Sequence, residues 1–197
     1  NISWSHPTSF QGSKGVMGYH SPQLSHIQLN YSWKYWWATG LHYIRQPDPT
    51  TKKEATLASL NFLIYRWNTK DLQANIYTVL GGGESHFTGQ QENVGYAMGQ
   101  FDIEDRNYYF LAKHLQMGHS PITHLRQTVF RGGFSPYIDP FDGFHTWLIL
   151  EWRKTEVLNA KVGEGLIPFL RFFYRNILFE VGYSLDGQAL FNYITHF

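Results

Sequence analysis

Ten histidines and no cysteine define the chemistry open to this 197-residue chain. Without thiols there are no disulfides and no thiolate metal sites. A metal would have to be held by imidazole, carboxylate or thioether groups. His20, His26, His86, His114, His119 and His124, with Met117, gather toward one end of the strand order set out below, as does His42. Imidazole with thioether suits copper, and imidazole alone suits zinc or nickel. No pair has strong ligand spacing: His20 and His26 bracket one expected loop, and His114, His119 and His124 spread across another. The plainer role for these side chains is that of polar rim residues. No resident cofactor is expected, and copper or zinc would be a ligand of that rim. His145 and His196 fall at the opposite end, and His6 has no assigned place.

Two Ser-His neighbours, Ser85-His86 and His119-Ser120, are the adjacent candidates for nucleophilic chemistry. Adjacent residues on a strand point to opposite faces, so each needs a partner from another strand. Gly81-Gly82-Gly83 is followed by no Lys-Ser/Thr and no helix, so it is not a phosphate loop. Arg171 precedes the Arg175-Asn176 turn by four residues and Glu180 follows it by four. With those two residues as the whole turn, Arg171 and Glu180 face each other, away from Leu170, Phe172, Phe179 and Val181. An interior ion pair is expected there, sealing the interior rather than carrying a solute.

The elements that must position these groups are strands. A formal charge of +1 and 16% charged residues leave no basic surface for nucleic acid. Mean hydropathy is −0.35, and no apolar run approaches the roughly 20 residues of a membrane helix. A bilayer span must therefore be made of alternating strands, which hydropathy averages hide. No helix-period segment with proper caps and no internal repeat is present. Absent cysteine fits a chain that crosses the periplasm unfolded, and Asn1 reads as the start of a mature chain after leader cleavage.

Asn1 to Gln11 reads as an irregular lead-in to one domain spanning 1–197. Expected strands are Gly12–Tyr19, Leu24–Trp33, Trp37–Arg45, Lys53–Trp67, Leu72–Leu80, Val94–Phe101, Asn107–Met117, Thr123–Phe134, Phe144–Arg153, Val162–Tyr174, Ile177–Ser184 and the final stretch to Phe197. Ile27, Leu29, Tyr31 and Trp33 alternate with His26, Gln28, Asn30 and Ser32, apolar against polar. Leu63 breaks that alternation in its strand. Gly81 to Asn93 reads as a long polar loop and Asp186-Gly187 as a type I′ hairpin. Short and long connections alternate from the second strand onward, with Ser135 to Gly143 the exception, long for a periplasmic turn, and aromatics flank each connection at that end: Trp33 to Trp37, Trp67, Tyr108 and Tyr109, Phe141 and Phe144, Phe172 to Tyr174. Such a girdle marks a membrane interface. The fold expected is an all-β, membrane-spanning, antiparallel up-and-down barrel of about 12 strands, with 8 to 10 as the alternative count. A soluble aromatic-rich barrel or sandwich is the competing architecture.

The last residues, Phe191-Asn-Tyr-Ile-Thr-His-Phe197, place Ala189, Phe191, Tyr193, Thr195 and Phe197 on one strand face. A terminal Phe after alternating aromatics resembles the C-terminal assembly signal of bacterial outer-membrane β-barrels, with Thr195 a departure at a usually apolar slot. Together with Leu170-Arg-Phe-Phe-Tyr and Phe179-Glu-Val-Gly-Tyr-Ser, it also resembles a group of proteobacterial barrel proteins associated with heavy-metal handling. The resemblance implies a Gram-negative outer-membrane location. Its partners would be the bilayer and lipopolysaccharide, the barrel-assembly machinery at Phe197, and a periplasmic or surface protein. It implies a narrow channel or accessory transport component for ions such as copper. The alternatives are a plugged scaffolding barrel and a lipid-modifying enzyme built on Ser120, Ser85 and a nearby His. The resemblance supplies no catalytic residues, and an enzyme is not expected.

Overall fold

The computed structural model describes residues 6–46, 53–87, 89–118, 124–137, 143–157 and 160–197. They form twelve strands: β1 (Lys14–His20), β2 (Ser25–Lys34), β3 (Trp37–Gln46), β4 (Lys53–Asn68), β5 (Gln73–Phe87), β6 (Gln90–Glu104), β7 (Tyr108–Met117), β8 (Leu125–Phe134), β9 (Phe144–Val157), β10 (Ala160–Tyr174), β11 (Ile177–Tyr183) and β12 (Ala189–His196). Every strand pairs antiparallel with its sequence neighbours, and β12 returns to β1 to close the barrel. Lys14 and Phe197 exchange backbone hydrogen bonds of 3.1 and 2.8 Å at that seam. Closure satisfies the backbone groups that an open sheet edge would leave bare in lipid.

Alternation sorts the side chains into a wall that is apolar outside and mixed inside, where buried polar groups share the interior with apolar clusters. Leu41 is 57% exposed and Leu80 53%, whereas the inward Asn61, Asn75 and Glu151 are fully buried. Leu29, Leu60, Leu150 and Leu170 continue the outward band. At the end that carries both termini, Trp33, Tyr35, Trp36, Trp67, Tyr108, Phe134 and Tyr174 form an exposed aromatic ring. Apolar cover this extensive is what a lipid-facing wall requires.

Several local expectations change. The Gly81–Asn93 segment is mostly strand: β5 runs on to Phe87 and β6 begins at Gln90. The glycines serve close packing there. A Cβ on Gly83 would lie 2.1 Å from the Thr56 carbonyl oxygen, and one on Gly81 would lie 2.5 Å from that of Ala58. β9 and β10 likewise extend beyond the expected limits, to Val157 and from Ala160. At these two places the extra residues lengthen hairpins instead of forming loops, so short and long connections do not strictly alternate. The β11–β12 connection is not type I′. Only Gly187 has positive φ (82°), and its N–H donates to the Ser184 carbonyl at 3.0 Å in a longer turn. The break at Leu63 is a β-bulge between Leu63 and Tyr65, after which Tyr65 and Trp67 face outward and Arg66 reaches Asn75 inside.

Candidate functional site

Two polar networks occupy the described part of the interior. Glu180 on β11 is the hub of one side. Its cross-strand neighbour Arg171 donates from Nε at 2.7 Å, Asn192 Nδ2 on β12 donates at 2.7 Å, and Arg131 Nη1 donates to its two oxygens at 3.0 and 2.9 Å. Arg131 spans from β8 to make that contact. Its Nε also donates to Glu151 on β9, whose other oxygen accepts Arg153 Nε at 2.6 Å. Aromatic faces support the guanidiniums: Arg131 lies 5.0 Å over Phe169 and Arg171 lies 4.5 Å over Tyr109. Arg131, Glu151, Arg171 and Glu180 are all buried. Desolvated charges persist only when paired and hydrogen-bonded.

The opposite side carries a chain of imidazole, hydroxyl and amide groups. His26 Nε2 and His42 Nδ1 are 2.9 Å apart, His42 Nε2 is 2.7 Å from Ser59 Oγ, and Ser59 Oγ donates to Asn61 Oδ1 at 2.8 Å. Asn61 Nδ2 then donates to Asn30 Oδ1 at 2.8 Å and to the Pro7 carbonyl at 3.1 Å. Pro7 belongs to the irregular lead-in, which enters the barrel from the end carrying the termini. His6 stacks on Tyr77 at 4.8 Å and stands 3.3 Å from Asp102, which also accepts from Asn75 and Gln100. The Ser9 N–H donates to Ser32 Oγ at 3.0 Å. His6, Pro7 and Thr8 are buried. At the far end Ile44, Leu57, Val79, Tyr96, Met117 and Leu125 belong to one apolar cluster. Among the described residues lie two small neighbouring cavities, of about 30 and about 20 Å³, and both are lined by Tyr19, His26, Lys113 and Leu115.

The expected metal ligands are not brought together. His20, His86 and His114 lie on the outer face, where His20 bonds Ser25 at 2.7 Å and stacks near Tyr193, and His114 bonds Thr128 at 2.9 Å. His26 and Met117 face inward, Met117 within the apolar cluster, and His124 is buried at the start of β8. The strand pleat that spaces them along one rim also sends them to opposite sides of the wall. Among the described residues no three His, Asp or Glu side chains form a metal site. His119 and Ser120 lie outside the described residues. Ser85 is buried inside while its neighbour His86 is exposed outside.

Sequence reasoning missed Arg131, Glu151, Arg153 and the His26–His42–Ser59 chain. Alternation alone puts Arg131 and Glu151 on inner faces, but the long β8–β9 connection gives no register to pair them. The His42–Ser59 contact depends in the same way on the long β3–β4 connection.

No family model matches the chain, and none of the curated proteins does. Solved structures do. A KdgM porin, solved in complex with disordered oligogalacturonate, superposes with a TM-score of 0.50 at 9% identity, covering 94% of this chain and 98% of that one. LpxR from Salmonella typhimurium gives 0.49 at 9% identity, covering 94% and 99%. A loop-deletion mutant of OmpT, an outer membrane protein of Vibrio cholerae, gives 0.36 at 7%, covering 94% and 97%. The heavy-metal association gains no support from these comparisons. What the chain shares with the porin is its fold, a closed antiparallel β-barrel of the outer-membrane kind.

Proposed function

We propose that the protein is a narrow transport barrel of the Gram-negative outer membrane, closed by its own N-terminal segment and opened when that segment leaves the lumen. The observation that carries this is the seating of His6, Pro7 and Thr8 inside the wall, held through Asp102, Tyr77 and Asn61. A segment that belongs to no strand and is held by a few side-chain contacts can be released without unfolding any strand. The apolar outer band and the aromatic ring support placement in a bilayer, with the termini on the periplasmic side. The terminal Phe197, 68% exposed beside the closing strand, is suited to recognition by assembly machinery. Copper is no part of this proposal, because the described histidines named for it lie on both faces of the wall.

The test is conductance in a planar bilayer. The full chain is expected to be silent or to flicker, and a chain lacking residues 1–8 to conduct steadily. Both must show the heat-modifiable mobility of a folded barrel. Steady conductance by the full chain would refute the plug. Continued silence of the shortened chain would favour a second reading, a permanently closed scaffolding barrel that docks a periplasmic or surface partner. The Arg131–Glu180 contact, which ties β8 across the lumen to β11, favours that reading.

A further inference from the structure

Lys113 is the interior cation that the charge network leaves out. It projects from β7 and lines both of the small cavities described above. Its ammonium lies 4.9 Å over the Tyr19 ring, and no hydrogen bond or ion pair to it occurs among the described residues. Arg131, Arg153 and one carboxylate, Glu151, line the larger cavity with it; Arg131 is committed to Glu151 and Glu180 and Arg153 to Glu151, so the charged lining is three cations to one anion. Two carboxylates therefore serve the three guanidiniums of Arg131, Arg153 and Arg171, and Lys113 adds a further positive charge. A ring face offers a cation only its quadrupole, and the ammonium of half-buried Lys113 makes no direct contact with a carboxylate among the described residues. The larger cavity, about 30 Å³, has room for about two water-sized particles.

We infer that this cavity is a binding site for a small monovalent inorganic anion of chloride size, held by Lys113 in the field of Arg131 and Arg153. The site stands on interior geometry and does not depend on whether the barrel conducts. Chloride is the right size, whereas gluconate cannot enter.

The experiment is thermal unfolding of the full chain in detergent at constant ionic strength, with chloride replacing gluconate stepwise. A tenfold excess of chloride over its dissociation constant should raise the midpoint by about 3–6 °C, saturably. Lys113→Met should abolish the rise, and Lys113→Arg should keep it. A flat response in the full chain would overturn the site. So would an undiminished rise in Lys113→Met, since it would place chloride elsewhere.

Discussion

Replacing Glu180 by Gln keeps the shape of the hub and removes its charge. Glu180 is 1% exposed and accepts from Arg131, Arg171 and Asn192. After the change, Glu151 is the remaining carboxylate of the cluster, and it is already shared by Arg131 and Arg153. Arg171 then faces a neutral amide oxygen in place of its carboxylate, beside its ring contact to Tyr109. Removing one partner of a buried pair typically costs about 3–5 kcal/mol, far more than the pair contributes relative to an apolar replacement. Arg171→Met should cost less, about 1.5–3 kcal/mol, because Glu180 keeps Arg131 and Asn192. The two changes together should cost less than their sum, since the double variant leaves fewer unpaired charges. Reversible urea unfolding in detergent, followed by the fluorescence of the seven tryptophans, measures all three. A Glu180→Gln variant within about 0.5 kcal/mol of the parent would refute the reasoning, because it would mean that water solvates this carboxylate.

Three further outcomes follow from the wall and its plug. Gly83→Ala places a methyl 2.1 Å from the Thr56 carbonyl oxygen and should cost about 1–3 kcal/mol in the same unfolding assay, while Gly99→Ala, which meets nothing within 4 Å, should cost at most about 1. Leu150→Arg on the outer band should cost about 2–4 kcal/mol when the protein is refolded into vesicles, and Leu185→Arg in the β11–β12 turn at most about 0.5; equal costs would argue against a lipid-facing wall. Asn61→Ala removes the donor to the Pro7 carbonyl and should raise the frequency of opening events in planar bilayers; an unchanged record would show that this bond does not hold the plug.

The sequence by itself determined the wall. Apolar and polar residues alternate because successive strand side chains point to opposite faces, and that rule is local. Arg171 and Glu180 could be placed opposite each other because a two-residue turn leaves no freedom of register. Even the bulge left its mark in the broken alternation at Leu63. Only the tertiary structure decided what fills the barrel. Arg131 meets Glu180 because closure brings β8 and β11 to opposite parts of one lumen, a contact 49 residues apart that no local register encodes. Gly81 and Gly83 looked like a loop because glycine marks turns more often than it marks the close approach of two strands. The histidines that seemed to share a rim were divided by the pleat. His6 could not be placed at all, since a lead-in without periodicity has no pattern to read. Its seat beside Asp102 exists only once twelve strands enclose it.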